Sequence, residues 1–147
     1  MHDEIVMAFD FGVRRIGVAI GATMLKSARP LTTIAAAANA ARFEAIGRLI
    51  VQWQPARLVV GLPLAPDGAE HEMTARSRRF ANQLRGRFGL PVEFADERWS
   101  STAAEQSLRA QGHDLRRDKP AIDAAAAAVI LQSYFDRTHH ADPALSA

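Results

Sequence analysis

Two apolar runs near the amino terminus, split by a lone acid and a glycine turn, constrain this chain more than any other stretch. The first, Ile5 to Phe11, reads as a buried strand with Asp10 close to its carboxyl end. The second, Ile16 to Gly21, sets Ile16, Val18 and Ile20 against Gly17, Ala19 and Gly21. Alternation gives it one bulky face and one nearly bare face, which a helix or another backbone can approach closely. Gly12 between the runs is free to take positive φ in the turn. Asp10 needs a physical reason to be there, because burying an ionised carboxylate costs several kcal/mol unless a partner or a metal compensates it.

A third short strand is expected at Leu31 to Ala35, completing a meander. From Asn39, a good N-cap, the residues Phe43, Ile46, Leu49, Ile50 and Trp53 share one helical face up to Pro55. Arg57 to Gly61 reads as a buried strand. After a loop with Pro63 and Gly68, the residues Met73, Ser77, Phe80, Leu84 and Phe88 space out a second helix, closed by Gly89. Val92 to Ala95 is a further strand. Thr102 with Glu105 matches a capping box for a helix ending near Gly112, and Pro120 opens a last helix from Lys119 to about Asp136. Three strands followed by strand–helix units point to an α/β fold, a five-stranded mixed sheet flanked by helices. With 147 residues this is one domain over 1–136, and 137–147 reads as a disordered tail.

Hydrophobic residues at 48% and charged residues at 23% exclude a disordered chain, and no apolar run reaches the roughly 18 residues that span a bilayer. The opening Met1-His2-Asp3-Glu4 is acidic, unlike a signal peptide. Zero cysteines remove thiolate sites and disulfides and fit a reducing cytoplasm. The net charge of +2 is small, but basic residues cluster at Arg14 and Arg15, at Arg76, Arg78 and Arg79, at Arg85 and Arg87, and at Arg116, Arg117 and Lys119, which suits a polyanionic partner or simply solvated faces.

Three acids stand in unusual places. Asp123 is the one charge between Ala121 and Phe135, and lies on the helical line Asp123, Ala127, Ile130, Tyr134. A solvent-facing acid in the first turns explains it equally well. Glu97, with Asp96 as competitor, follows the strand ending at Ala95, and open α/β sheets carry their chemistry at such ends. With the first strand central in the sheet, Asp10 and Glu97 come near one another. Carboxylates without thiolate or imidazole partners favour Mg²⁺ or Mn²⁺, which relieve repulsion of about 4 kcal/mol per pair at 4 Å. Two such ions suit phosphodiester cleavage. The five histidines lack helical ligand spacing, which argues against zinc. Ser100, Ser101 and Thr102 are explained by helix capping, Gly61, Pro63 and Gly68 lack the Lys-Ser/Thr of a P-loop, and Trp53 and Phe80 read as core.

DFGVRRIGVA from Asp10, ARPL from Ala28, GLPLAPDG from Gly61 with RFANQL beyond, DERWSS from Asp96 and KPAIDAAAAAVIL from Lys119 resemble the YqgF (RuvX) family in the family's order. These are pre-16S rRNA nucleases formerly described as Holliday junction resolvase-like. The resemblance implies a ribonuclease-H-like fold and a cytoplasmic, metal-dependent endonuclease maturing the 5′ end of 16S rRNA, leaving 5′-phosphate and 3′-hydroxyl ends. Its acidic positions fall on Asp10, Glu97 and Asp123, and its basic positions on Arg14 and Arg98, expected to orient phosphate. Gly21-Ala22 departs from the commoner Ser-Asp, and Ser100-Ser101 from Thr-Thr.

The leading expectation is therefore a Mg²⁺- or Mn²⁺-dependent endonuclease on pre-16S rRNA, free or in a ribosomal precursor particle, acting as a monomer or weak homodimer and without a membrane. A Holliday junction resolvase would use the same acids on four-way DNA and need a two-fold dimer. A non-catalytic RNA-binding assembly factor would keep the fold without turnover. An actin- or sugar-kinase-like ATPase would need a second domain, for which 147 residues leave no room.

Overall fold

The computed structural model describes residues 3–35, 38–96, 106, 109–112 and 119–140, with backbone alone at 138–140. Five strands, β1 (Ile5–Phe11), β2 (Ile16–Ala22), β3 (Ser27–Ile34), β4 (Arg57–Leu62) and β5 (Val92–Asp96), form one sheet in the order β3-β2-β1-β4-β5. The first three are an antiparallel meander, while β4 runs parallel to β1 and β5 parallel to β4. The helices with described bounds are α1 (Asn39–Trp53), α2 (Glu72–Phe88) and α3 (Lys119–His140), and Gln106, Arg109 and Ala110 are helical as well. The expected mixed five-stranded α/β sheet is what the chain forms, with β1 at its centre.

Alternation along the strands divides the core into two layers. Met7, Phe9, Ile16, Val18, Ile20, Leu58 and Val60 face one side, where Phe43 and Ile46 of α1 and Phe80 and Leu84 of α2 cover them. Val6, Ala8, Ala19, Val59 and Ala95 face the other, under Ala127, Ile130, Leu131, Tyr134 and Phe135 of α3. The bare face of β2 is the seat of α3. A Cβ on Gly17 would lie 1.9 Å from the Asp123 carbonyl oxygen, and one on Gly21 would lie 2.7 Å from the Phe135 ring. Glycine at both positions lets the helix settle within van der Waals contact of the strand.

α3 is tied to the sheet along its length. The Thr33 hydroxyl donates to Pro120 O, Ala28 N–H donates to Gln132 Oε1, and Gln132 Nε2 donates to Lys26 O. Near its end, Arg137 donates to Phe94 O at 3.1 Å, and the helix continues to His140 rather than stopping near Asp136. At the amino-terminal end of β1, Arg57 pairs with Glu4 at 3.0 Å and donates to the Tyr134 hydroxyl at 3.2 Å. That hydroxyl donates to Glu93 at 2.6 Å. This network ties β1, β4, β5 and α3 together at the end of the sheet away from Asp10.

Several local expectations are corrected. Asn39 is not the N-cap of α1; Ala38 holds that position without a side-chain bond, and Asn39 is already helical. Gln54 closes the same helix in the left-handed region (φ 50°). His71 caps α2 through a reciprocal pair with Thr74, and Gly89 (φ 65°) ends it as expected. β3 begins at Ser27 instead of Leu31, because its register is set by pairing with β2 from Ile16↔Ile34 to Ala22↔Ser27 and not by its own apolar content. Gly12 is not left-handed; a Cβ there would lie 2.5 Å from Arg15 O, so the position requires glycine for a close approach. Gly112 (φ 85°) donates to Arg109 O at 3.0 Å where the third expected helix was to end. The capping pair Thr102 and Glu105, and the tail at 141–147, lie outside the described residues.

Candidate active site

Asp10 stands next to last in β1, on the central strand, half-buried. Its neighbours two and four residues back, Ala8 and Val6, both belong to the layer under α3, so alternation turns the carboxylate toward that helix. Directly across the ladder from Asp10 is Gly17, and against Gly17 rests the main chain of Asp123. One register pair and one glycine contact thus bring two acids from opposite ends of the sequence to the same face at the same strand end. Asp123 does lie on the buried line through Ala127, Ile130 and Tyr134, and not on the solvent side of α3.

The Asp123 carboxylate accepts a hydrogen bond from Arg15 Nε at 2.5 Å, in an ion pair whose side chains are 32% and 23% exposed. Arg15 immediately precedes β2 and continues the bare series Gly17, Ala19, Gly21, so the strand's period of two carries it to the α3 face. Arg14, the residue expected to meet phosphate, is exposed in the turn and makes no ion pair among the described residues. Extending the alternation of β2 one step backwards distinguishes the two arginines from sequence. Arg42 is a second residue that the pattern reading passed over. Only 4% exposed, it donates to Gly12 O at 2.5 Å and also to Val13 O, and lies 5.3 Å from the Phe11 ring. It fixes the β1–β2 turn that carries Arg14 and Arg15, and its burial lowers its pKa. Its spacing to Ile46, Leu49 and Trp53 on the inward stripe of α1 was the available signal.

The carboxyl ends of β1, β4 and β5 lie level: Phe9 pairs with Val60, Gly61 with Ala95 and Leu62 with Asp96. Within β5, Ala95 belongs to the layer under α3 while Val92 and Phe94 face α1 and α2. Asp96, the competitor of Glu97, therefore projects to the face away from Asp123. Glu97 and Arg98 lie outside the described residues, as do Ser100 and Ser101. Among the described residues no group of three acids or histidines gathers in one place. Asp10 and Asp123 supply hard oxygen donors and no soft ligand, which fits Mg²⁺ or Mn²⁺ better than zinc.

The arginines of α2 divide by role. Arg76 pairs with Glu72 at 2.8 Å and Arg78 with Glu70 at 3.0 Å, while Arg85 donates to Val92 O at 2.7 Å. The Glu70 carboxyl is held below its usual range by the hydrogen bond from Arg78. Phe80 is core, as expected, and Trp53 packs at the core's margin with Arg29 over its ring at 5.4 Å. The loop after β4 is closed by Gly68 (φ 90°), whose N–H donates to Ala65 O, and by the Thr74 hydroxyl donating to Pro63 O. No helix among the described residues is long and apolar enough to cross a membrane.

The chain is similar to known proteins in both sequence and fold. The RuvX family model, described as Holliday junction resolvase, matches residues 4–137. A protein of Dechloromonas aromatica named "Putative pre-16S rRNA nuclease" is 55% identical over 138 residues, covering 94% of each chain. One of the same name from Chromobacterium violaceum is 58% identical over 132 residues, covering 89% of this chain and 96% of its own. Among solved structures, the fowlpox virus resolvase bound to Holliday junction DNA superposes with a TM-score of 0.58 at 11% identity, covering 90% of this chain and 97% of the other. Thermus thermophilus RuvC with its Holliday junction substrate gives 0.52 at 19% identity, covering 89% and 93%. At these identities the two structures speak for the fold, which is ribonuclease-H-like as expected.

Proposed function

The chain belongs to the RuvX (YqgF) family, and from that premise we propose that it is a metal-dependent endonuclease that cuts the 16S rRNA precursor in 5′-end maturation. The observation that carries this reading is the seating of Asp123 against Gly17, directly across the ladder from Asp10. Two carboxylates on one face at the carboxyl end of a central strand offer oxygen donors to a cation where open α/β sheets carry their chemistry, and Arg15 offsets part of the charge of Asp123. Asp10, Asp123 and Glu97 are the residues that would hold Mg²⁺ or Mn²⁺. Such an ion supplies an acidified water and neutralises the departing oxygen.

The protein's own contribution is placement. α3 is anchored to β3 by Thr33 and Gln132 and to β5 by Arg137, so the Asp123 carboxylate is presented by a braced helix. Arg15 restrains that carboxylate through their ion pair at the β2 end of the turn. Arg14, exposed in a turn stiffened by Arg42, is free to meet a phosphate oxygen, with Arg98 assigned the same task. The enzyme works in the cytoplasm on structured RNA, free or within a ribosomal precursor particle, as a monomer or weak homodimer.

The family's description and the junction-bound structural relatives favour a second reading, cleavage of four-way DNA by a two-fold dimer. One assay separates the two. Wild type and Asp123→Asn are compared in Mg²⁺ and Mn²⁺ on a 16S precursor 5′-leader RNA and on a four-way DNA junction. Cutting of the RNA alone, lost in the variant, is the expected result. Paired symmetric cutting of the junction, equally dependent on Asp123, would replace the first reading with the second. Binding of the leader RNA without cutting by any protein would leave an assembly factor.

A further inference from the structure

Phe11 follows Asp10 directly, and alternation sends its ring to the opposite face of the sheet, into a pocket of about 270 Å³ between α1 and α2. The floor is aromatic: the half-buried Phe11 ring faces the pocket, backed at a centroid distance of 4.8 Å by buried Phe80 and, 5.9 Å beyond that, by buried Phe43, over which Arg87 lies at 4.2 Å. The walls are cationic. Arg76 and Arg79 project from α2 on the same helical stripe as Phe80 and Gln83, while Arg42 lies buried at the α1 side, its guanidinium held by the turn carbonyls. Among the described residues no acid lines the pocket. The Arg76–Glu72 pair is exposed on both sides, and Arg79 makes no ion pair among the described residues. A concave site with one sign of charge concentrates counter-ions of the other.

An aromatic floor under cationic walls fits a ligand with a flat unsaturated ring and an attached anion. An inorganic anion would leave the floor unused, and an apolar peptide would leave the Arg76 and Arg79 guanidinium groups facing hydrocarbon. The side-chain amides of Asn39 and Gln83 at the rim offer donors and acceptors to a heterocycle's edge. The volume is just below the ~300–1,000 Å³ of small-molecule sites, which suits one such unit. Because Asp10 and Phe11 are consecutive in β1, the pocket and the acids share one end of that strand on opposite faces of the sheet.

We propose that the pocket between α1 and α2 binds one unstacked nucleotide of single-stranded RNA flanking the bond to be cut, its base against the phenylalanine floor and its phosphate between Arg76 and Arg79. This rests on the assignment of cleavage to the Asp10–Asp123 end of the sheet. A base in a duplex is stacked and paired, so the pocket selects single-stranded flanks.

The test is binding of a short fluorescent single-stranded RNA to the full-length protein in EDTA, where nothing is cut. Arg76→Ala/Arg79→Ala is compared with Arg48→Ala/Arg78→Ala, which removes the same charge outside the pocket. The pocket variant is expected to lose about tenfold in affinity and its salt slope to fall by about 0.7 per lost phosphate contact, with at most a twofold loss in the control. In parallel, uridine 5′-monophosphate is titrated against the labelled protein by NMR, with inorganic phosphate as the comparison. Shifts confined to the amides around Phe11, Phe43 and Phe80, and larger than those with phosphate, are expected. A pocket variant no weaker than the control, or shifts spread over the surface or matched by phosphate alone, overturns the proposal. Failure of the cleavage reading would appear separately, as cutting that Asp123→Asn leaves intact or as no cutting at all.

Discussion

Gly17→Ala isolates the contact on which the acid pair depends. The added methyl would lie 1.9 Å from Asp123 O, 2.3 Å from its carbonyl carbon and 2.9 Å from Ala124 N. All three are backbone atoms, so no side chain can rotate away. To bring 1.9 Å to an ordinary contact of 3.4 Å, α3 must retreat by about 1.5 Å. That retreat opens the layer in which Ala127, Ile130 and Leu131 are fully buried. Overpacking costs about 1–3 kcal/mol, and an immovable neighbour sets the value at the upper end or beyond. At about 2–4 °C per kcal/mol for a domain of this size, Tm falls by roughly 6–12 °C. The same shift moves the Asp123 carboxylate away from Asp10, and a displacement of about 1 Å at a reacting centre costs about 100-fold in rate. The matched control is Gly86→Ala in α2, where nothing lies within 4 Å of the new Cβ and a helical glycine is replaced. It is expected to stabilise by about 0.5–1 kcal/mol. Differential scanning calorimetry and cleavage at a temperature where both variants are folded read both quantities. A Gly17→Ala protein melting within 2 °C or so of wild type, with full activity, would refute the reasoning.

Arg42→Ala removes two charge-assisted bonds to the carbonyls of Gly12 and Val13 from a buried site, and should cost about 2–3 kcal/mol in urea unfolding, with faster amide exchange in the β1–β2 turn. Tyr134→Phe should cost about 1 kcal/mol by loss of the bonds to Glu93 and Arg57. Burial first, and the hydrogen bond to Glu93 second, raise the Tyr134 pKa. A raised folded-state pKa means stability that is complete below the unfolded value near 10 and is lost as pH rises through the folded one, so wild type should lose more of its stability above about pH 10 than Tyr134→Phe does. Mg²⁺ at about 100 times its Kd should stabilise wild type by about 2.7 kcal/mol and Asp123→Asn far less, read as Tm with and without the ion; equal shifts would remove Asp123 from the metal site.

Much of the sheet was legible because its signals are local and periodic. The alternation of β2 named the bare face before any helix was known to lie on it, and the line from Asp123 to Tyr134 named the inward side of α3. β3 was half-read, since an exposed edge strand containing Arg29 and Pro30 has no alternation of its own and takes its limits from β2. The start of α1 was misread by one residue because a good capping residue type at Asn39 does not oblige the chain to use it. Arg15 and Arg42 were passed over for a different reason. Arginine reads as surface, and the partners that draw these two inward, a carboxylate 108 residues away and two turn carbonyls, exist only in the assembled fold.

The lock between β2 and α3 also sets a timetable. Arg15 and Asp123 are separated by 108 positions, so at about 5–20 residues per second the second is made roughly 5–22 s after the first. Contacts of such separation form only after much of the chain has been gathered. Until the last helix arrives, the hairpin holds Asp10 beside an open glycine furrow and without its companion. The furrow of β2 and the helix that fills it are thus made far apart in the chain and meet only when the sheet between them has been laid down.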